Sequence, residues 1–289
     1  SAMPSLIVNP IGGIANRLRA IVAGASLAKE LKVSMQVVWA INSELAAPVD
    51  ELIDIEGISG NGMPDIRIHN ISALKQLFLY DAPRKRNFYA SGITKFGKYG
   101  YELDDDKLIK NSCILDIRTI HDTLSKDRDI LIRSGLEFFD FTDEFYRQLI
   151  HPLSRYEAQA TDILKGMKDT VGLHIRRTDN AMSVRHSPLT LFFNAVDLEL
   201  KHNPEANFYL ASDDEDTKKV LVERYGGDRI VTSSLKADRS SASGIKNAFL
   251  EMVILSKCSK IYGSFYSSFS EAASKLGNVR LETLRTPSS

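Results

Sequence analysis

Two adjacent arginines follow an apolar segment in the second half of the chain, in the run His174-Ile175-Arg176-Arg177-Thr178-Asp179. On a strand, His174 and Arg176 share one face, because alternate side chains point the same way. Two guanidinium groups at the end of a buried strand are costly unless they meet anions. Since an arginine fork keeps its charge and matches phosphate oxygens, this run predicts a diphosphate site. The alternative is a structural salt-bridge cluster in which Asp179 holds an arginine.

A second candidate anion site lies near the N-terminus, where Gly12 and Gly13 separate a short apolar strand from a helix. Paired glycines let a ligand approach the backbone and leave the first helical N–H groups available to an anion. Asn16 and Arg17 add side-chain donors. The spacing is not that of a dinucleotide fingerprint, and the sequence contains no Walker A motif. The segment is therefore either a ligand contact or only a tight strand-to-helix turn.

Acidic and hydroxyl side chains follow two further apolar segments. The run Ser212–Asp216 can cap a helix, hold a divalent metal ion or support the neighbouring arginines. Capping alone explains most of this run, so no metal is expected. The run Ser264–Ser268 opens a helix with hydroxyl groups, which can bind phosphate or form a capping box with Glu271. The acidic run 104–106, by contrast, is interpreted as a solvated loop.

Strand-like and helix-like segments alternate along most of the chain, which predicts an α/β fold with parallel sheets. In such sheets, ligands bind beyond the carboxyl ends of the strands, where the four candidate runs lie. One long helix is predicted over 143–165, bent at Pro152. We expect an N-terminal α/β domain over 1–160 and a Rossmann-like domain over 161–289. The clearest predicted strands are 6–9, 35–40, 171–176, 207–211, 229–231, 260–265 and 279–284, and the clearest helices are 14–31, 189–202, 214–225, 244–256 and 268–276.

The composition is that of an ordinary globular protein and excludes several classes. Of 289 residues, 43% are hydrophobic, and 37 basic side chains balance 37 acidic ones. A net charge of zero argues against a dedicated nucleic-acid-binding protein. No apolar run approaches the roughly 18 residues of a membrane helix, so we expect a cytoplasmic protein with no membrane span. Cys113 and Cys258 lack the spacing of a zinc site and are expected in the core.

Three segments of the C-terminal half resemble the GDP-fucose-dependent fucosyltransferases, above all the α-1,6 group. They occur in the expected order and are His174–Asp179, Phe208–Asp214, and Leu250–Ser256 continuing to Ser264–Ser268. The loop from Gly12 to Asn16 is similar to the Gly-Gly-x-x-Asn loop of the related α-1,2 enzymes. The resemblance implies a GT-B-like fold, in which two Rossmann-like domains face each other across a cleft.

By position in these motifs, the resemblance implies a site for GDP-fucose in the C-terminal domain and an acceptor side in the N-terminal one. Arg176 would grip the β-phosphate, and His174 would lie near the nucleotide. Glu251 would accept hydrogen bonds from the guanine edge. Arg177 and Asp179 would complete the catalytic motif. The other expected donor contacts are Gly12, Gly13, Asn16, Arg17, Asp213, Asp214, Ser264, Phe265, Ser267 and Ser268.

The resemblance also implies an inverting reaction that uses no metal or other cofactor. The expected acceptor is a glycan or lipid-linked oligosaccharide in a bacterial cytoplasm. The candidate base glutamate of the α-1,6 enzymes is absent here, which leaves His186, Asp179 or an acid of the N-terminal domain to take the acceptor proton. Three alternatives stay open: a different nucleotide sugar, a metal-dependent transferase that uses Ser212–Asp216, and a non-catalytic GDP-sugar-binding protein.

Overall fold

The computed structural model describes residues 3–60, 62–79, 98–178, 181–235, 238 and 240–287. The chain divides into two compact units, Ser1–His151 with Arg239–Ile245 and Pro152–Asp238 with Lys246–Ser289. Each unit contains one five-stranded sheet in which all paired strands are parallel. The predicted α/β class with two Rossmann-like sheets is therefore confirmed. The domain limits of 1–160 and 161–289 stay a prediction.

The first unit is built around its first strand. Its strands are β1 (Ser5–Pro10), β2 (Ser34–Ile41), β3 (Ile66–Ser72), β4 (Tyr101–Asp104) and β5 (Ile130–Ser134). They lie in the order β3-β2-β1-β5-β4. The strands β2 and β3 are therefore added on one side of β1, and the later strands β4 and β5 are added on its other side. The helices are α1 (Ile14–Leu31), α2 (Ala73–Leu77), α3 (Asp105–Lys110), α4 (Ile117–Ser125) and α5 (Asp143–Leu149), with short 3-10 turns at Val49–Glu51 and Gly57–Ser59.

Helix α1 fixes the loop that follows β1. Apolar residues at helical spacing bury most of the helix, including Leu18, Ile21 and Leu27, against the sheet. At Gly24 a Cβ would lie 2.7 Å from a methyl carbon of Val8, so a glycine here lets the helix and β1 pack closely. The predicted helix bounds of 14–31 are confirmed. The N-terminal end of α1 is thereby held against the carboxyl end of β1.

The second unit repeats the arrangement with more regular elements. Its strands β6 (Val171–Ile175), β7 (Phe208–Ser212), β8 (Ile230–Thr232), β9 (Lys260–Ser264) and β10 (Arg280–Leu284) lie in the order β10-β9-β6-β7-β8. The helices are α6 (Ser154–Ile163), α7 (Ala181–His186), α8 (Leu189–His202), α9 (Glu215–Tyr225), α10 (Ala242–Ser256, which belongs to this unit from Lys246 onward) and α11 (Ser268–Gly277). Strand β6 is completely buried between β7 and β9. Within the described parts of the chain, no helix is long and apolar enough to cross a membrane.

Two expectations about particular segments are wrong. The helix predicted over 143–165 is two helices, α5 and α6, because the backbone is extended at Ile150 and Pro152 offers no N–H for a helical hydrogen bond. Cys113 is exposed, in a turn where its φ is +58°, whereas Cys258 is buried as expected. Its neighbours Asn111, Ser112 and Ile114 are exposed as well, so the segment around Cys113 is not part of the core.

Candidate functional site

The carboxyl end of β6 carries a buried, uncharged histidine. His174 is 6% exposed, and its ring stacks on Phe269 with ring centroids 4.8 Å apart. The hydroxyl of Ser267 lies 3.3 Å from its Nδ1 atom. Burial, assisted by the charge of Arg176, lowers the pKa of His174 to about 3. The imidazole is therefore neutral at physiological pH and serves as a hydrogen-bonding group of fixed orientation.

Ser264, at the end of β9, joins the ends of the two central strands. Its hydroxyl oxygen accepts a hydrogen bond from the backbone N–H of Arg176 at 3.1 Å and donates one to the carbonyl of His174 at 3.3 Å. Ser264 is 1% exposed, so this link is protected from water. The arginine pair thus leaves the sheet from a backbone held by β9. The structure brings His174, Arg176 and Ser264 together as the sequence predicted.

The side chain of Arg177 is only partly satisfied. Its Nη2 atom is buried and has no hydrogen-bond partner among the described residues. Burial lowers the pKa of the guanidinium, and the charges of Asp214 and Asp213 oppose that shift. An unpaired buried donor on a cation costs free energy that an incoming anion removes. Arg177 is therefore suited to a ligand that supplies negative oxygens.

The two acids after β7 hold the backbone around this arginine. The carboxylate of Asp213 accepts hydrogen bonds from the backbone N–H groups of Arg177 and Thr178, at 2.8 and 3.1 Å. Asp214 caps α9, since its carboxylate accepts from the backbone N–H of Thr217 at 3.3 Å and from the hydroxyl of the same residue at 2.6 Å. Asp214 therefore acts as the capping interpretation predicts, whereas Asp213 supports the arginine segment, as the alternative interpretation predicts. Among the residues that the structure describes, no group of three or more metal-ligating side chains occurs.

The serine-rich loop between β9 and α11 leaves the start of the helix without a side-chain cap. Ser267 is the N-cap of α11, but its hydroxyl makes no capping hydrogen bond and lies instead beside His174. The expected capping box therefore does not form. Ser268 begins the helix. The preceding Tyr266 has a φ of +60° and is 71% exposed, so the loop turns sharply just before these serines.

His186, a candidate base, is the last residue of α7. Its ring packs edge-on against Phe265, with ring centroids 5.2 Å apart. Its backbone carbonyl accepts a hydrogen bond from the N–H of Thr286 at 2.7 Å. The structure thus places His186 and Phe265 side by side. Asp179, the other candidate of this segment, lies outside the described residues.

Glu251 is buried inside the second unit. It is 6% exposed, and its Oε2 atom accepts a hydrogen bond from the hydroxyl of Tyr209 at 3.0 Å. Burial raises the pKa of Glu251 to about 7, and the charge of Lys218 acts in the opposite direction. Lys218 is itself buried and donates to the carbonyl of Ser233. The role of Glu251 towards guanine stays a prediction.

In the first unit, the loop from Gly12 to Asn16 lies at the carboxyl ends of β1 and β5. Gly12 has a φ of +87°, a conformation that favours glycine, and Gly13 is the N-cap of α1. The Oδ1 atom of Asn16 is buried with no hydrogen-bond partner among the described residues. A Cβ on Gly135 would lie 3.3 Å from the Cβ of Asn16 and 2.8 Å from the carbonyl of Ile11. The end of β5 therefore packs directly on this loop.

Arg17 differs from its predicted role as a donor contact. Its side chain is fully buried, and its guanidinium lies 4.8 Å from the ring centre of Trp39. It donates to the carbonyls of Gly12 and Ala40 at 2.9 and 2.7 Å, and to the side chain of Asn42 at 3.1 Å. Because no part of the group is accessible, Arg17 braces the glycine loop and does not present its charge to a ligand.

Asp105 is not in a solvated loop, contrary to the expectation for the acidic run. One carboxylate oxygen accepts from the backbone N–H of Gly135 at 3.2 Å. The other is buried with no hydrogen-bond partner in the part of the chain that the structure describes. Its neighbour Asp104 caps α3 by accepting from the N–H of Lys107. Asp105 was not recognised from the sequence because β4, the strand that it directly follows, was not predicted.

Sequence reasoning also missed three residues around Phe265. The hydroxyl of Ser187 accepts from the N–H of Phe265 at 2.8 Å, and that of Ser183 donates to its carbonyl. The guanidinium carbon of Arg285 lies 3.9 Å from the centre of the Phe265 ring. Arg285 comes directly after β10. The other candidates were recognised because they follow a predicted strand, and the same criterion could have identified Arg285. The two serines carry no comparable signal.

Comparison with known proteins identifies the fold. No family model and no curated protein matches this sequence. Solved structures do: the NodZ α-1,6-fucosyltransferase co-crystallised with GDP has a TM-score of 0.61 at 14% identity, over 94% of this chain and 92% of that one. POFUT1 in complex with GDP has a TM-score of 0.58 at 10% identity, over 98% and 99%.

A third structure extends this set to plants. A mutant of Arabidopsis thaliana FUT1 in complex with GDP has a TM-score of 0.63 at 13% identity, over 100% of this chain and 71% of that one. The NodZ structures include a protein from Bradyrhizobium, at 13% identity and a TM-score of 0.60. All these identities are below the level at which sequence alone establishes kinship. The chain has the two-sheet GT-B fold of these GDP-fucose fucosyltransferases.

Proposed function

We propose that this protein is an inverting glycosyltransferase that moves fucose from GDP-fucose to a hydroxyl group of a glycan or lipid-linked oligosaccharide, without a metal ion. Three structures of the same fold contain GDP or GDP-fucose: NodZ co-crystallised with GDP, NodZ soaked with GDP-fucose, and POFUT1 in complex with GDP, which supports the choice of donor. The observation that carries the proposal is the buried Nη2 atom of Arg177, which has no hydrogen-bond partner among the described residues. Arg177 follows Arg176, whose backbone is held at the ends of β6 and β9. A diphosphate supplies the oxygens that this donor lacks.

In the proposed reaction, the bond between C1 of fucose and the β-phosphate oxygen breaks, and its electron pair stays on that oxygen. Arg176 and Arg177 stabilise the added negative charge from fixed positions, which is the work that a metal ion does in other transferases. The hydroxyl of Ser268 and the backbone N–H groups that open α11 offer further donors. The acceptor oxygen attacks C1 from the opposite face, which inverts the configuration.

The acceptor hydroxyl must lose a proton as its bond to C1 forms. We assign this step to His186, whose ring is held beside Phe265 at the end of α7. Asp179 is the second candidate. A His186→Gln variant is expected to bind GDP as the wild type does but to transfer fucose at least about 100-fold more slowly. Unchanged turnover would assign the base to another residue without affecting the donor site.

The proposal is tested by calorimetric titration with GDP, GDP-fucose, GDP-mannose and UDP-glucose, each with and without EDTA. We expect selective binding of GDP and GDP-fucose that EDTA leaves unchanged. Arg176→Ala is expected to weaken GDP binding by at least about 10-fold, because a guanidinium group that follows the end of β6 is lost. Arg280→Ala is the matched control, since Arg280 is an exposed arginine at the N-terminal end of β10, whereas the candidate site lies at the carboxyl ends of the strands.

Each contrary result has a defined meaning. Preference for UDP-glucose or GDP-mannose would replace the donor but keep the reaction class. Binding that requires a divalent metal would favour a metal-dependent transferase and direct attention to Ser212–Asp216. GDP binding without transfer to any oligosaccharide and without hydrolysis of GDP-fucose would favour a non-catalytic GDP-sugar-binding protein. Equal loss of affinity in the Arg176 and Arg280 variants would contradict the assigned donor site.

A further inference from the structure

The last strand of the second sheet delivers an arginine to the same sheet edge as the candidate donor site. β10 pairs with β9 in a register that sets Leu284 beside Ser264. Arg285 therefore comes directly after the strand end that neighbours Ser264, the residue that holds the backbone of Arg176. Strands of a parallel sheet present their carboxyl ends at one edge, where open α/β sheets bind ligands. Arg285 is exposed there.

Hydrogen bonds on both sides fix the backbone of Arg285. The hydroxyl of Ser187 donates to the carbonyl of Leu284, and the N–H of Thr286 donates to the carbonyl of His186 at 2.7 Å. The same Ser187 hydroxyl accepts from the N–H of Phe265 at 2.8 Å. One buried serine thus ties the segment that carries Arg285 to the loop that carries Phe265. The backbone around Arg285 is therefore held more firmly than an ordinary exposed side chain requires.

The guanidinium of Arg285 is stacked but not neutralised. Its central carbon lies 3.9 Å from the centre of the Phe265 ring, a cation–π contact. Among the described residues, it forms no ion pair with a carboxylate and no side-chain hydrogen bond. Stacking occupies the face of the guanidinium and leaves its in-plane N–H groups available, which is the arrangement that binds phosphate oxygens in a fork. Arg177, by comparison, lies in the field of Asp213 and Asp214.

We propose that Arg285 is a third arginine of the donor site and binds the diphosphate of a nucleoside diphosphate. The inference rests on the proposed function and adds to it a binding residue that the sequence motifs do not contain. When the bond from C1 of the sugar to the β-phosphate oxygen breaks, the leaving group gains one negative charge. Asp213 and Asp214 partly offset the charge of Arg177, so a further cation adds to the stabilisation of the leaving group. Arg285 supplies it.

The test compares the affinities for GDP and GMP, because only GDP carries the β-phosphate. Calorimetry is performed on the wild type, Arg285→Ala, Arg285→Lys and the control Arg280→Ala. We expect Arg285→Ala to weaken GDP binding by about 10- to 100-fold and to leave GMP binding unchanged. Arg285→Lys retains the charge without the fork, so it should recover part of the loss. Arg280→Ala should bind both nucleotides as the wild type does.

The outcomes separate this inference from the proposed function. A wild type that binds GDP, with the same ratio of GDP to GMP affinity in Arg285→Ala, would overturn the inference and leave the proposed function intact. Equal weakening of GDP and GMP would also overturn it, since it would indicate a general effect on the loop. A wild type with no affinity for GDP would overturn the proposed function first. Circular dichroism of each variant checks that the fold is retained, and Arg285→Lys serves if Arg285→Ala does not fold.

Discussion

The two sheets of this protein share one plan and differ in the chemistry placed on it. In each unit the first strand, β1 or β6, is central, and a strand from later in the sequence, β5 or β9, pairs with its other side. This reversal creates a crevice between neighbouring strand ends, the usual ligand position in open α/β sheets. The backbone thus offers two equivalent positions, and the side chains decide what each can bind.

The difference lies in where the arginines are. In the second unit, Arg176, Arg177 and Arg285 follow strand ends, and the Nη2 atom of Arg177 has no hydrogen-bond partner among the described residues. In the first unit, Arg17 is fully buried and occupied by backbone carbonyls. The buried atoms of that unit without a hydrogen-bond partner among the described residues include one oxygen each of Asn16 and Asp105. The donor of Arg177 beside β6 thus contrasts with the two oxygens near the glycine loop of the first unit.

Replacement of Arg17 should break the first unit rather than a binding site, and this is the largest effect we expect. Arg17→Ala removes a buried cation together with at least three hydrogen bonds and leaves carbonyl groups unpaired, so we expect a loss of more than about 3 kcal/mol. Trp39, the only tryptophan, lies beside Arg17 and reports unfolding in urea. Arg19→Ala, which removes one bond to Gly135, should cost about 1 kcal/mol. Similar losses in both variants would contradict the buried role of Arg17.

In the second unit, the buried carboxyl of Glu251 should make stability depend on pH. Because burial raises its pKa from 4.5 to about 7, the folded state holds the proton more tightly than the unfolded state. Stability from this group is complete below pH 4.5 and falls as the pH rises to about 7, by about 3 kcal/mol in all. The measurement is the urea unfolding free energy from pH 5 to 8, wild type minus Glu251→Gln.

The control for this pH effect is an exposed glutamate in the same unit. Glu282→Gln, on β10, should leave the pH dependence of the wild type unchanged. Glu251→Gln should flatten it and should be more stable than the wild type at pH 8. Parallel pH profiles for the wild type and Glu251→Gln would show that folding does not raise the pKa of Glu251, which would contradict its buried environment.

The sequence was most informative where helices and strands alternate without interruption. From β6 onward, periodicity alone located every strand and most helices within two residues, because β6, β7 and β9 are buried apolar runs. The middle of the first unit gave no such pattern. Its strand β3 is largely exposed, β4 has only four residues, and the helices near them are short. Elements at a sheet edge bury too little surface to show a period.

The candidate site was predictable to the extent that it follows strand ends in sequence. His174, Arg176, Asp213 and Ser264 could be found this way, and the structure brings them together. The local signals around Ser267 were misleading, since its hydroxyl turns to His174 and not to the helix N-terminus. Whether a polar residue is buried or exposed depends on tertiary packing. Arg17 and Arg176 therefore looked alike in the sequence.

Glycines at equivalent strand ends allow a smaller test of the two crevices. A Cβ on Gly135 would lie 2.8 Å from the carbonyl oxygen of Ile11, whereas one on Gly263 would lie 2.7 Å from the hydroxyl of Ser270. We expect both alanine variants to lose about 1–3 kcal/mol in urea unfolding, with Gly135→Ala the more affected because backbone cannot rotate away. Gly227→Ala, with its nearest atom 4.0 Å away, should lose little. An equal loss in Gly227→Ala would assign the effects to the unfolded chain.

The two cysteines distinguish the units by reactivity, with no change in stability expected. Cys113 is exposed in the first unit, whereas Cys258 is buried in the second, and burial raises the pKa of its thiol to about 12. Since the thiolate is the reactive form, a disulfide reagent at about pH 8 should label Cys113 rapidly and leave Cys258 unmodified until the protein is denatured. Cys113→Ser should abolish labelling of the native protein. Rapid labelling of Cys258 in that variant would mean that the second unit opens at the packed junction of α10 and β9, and the regular sheet would then be the less stable of the two.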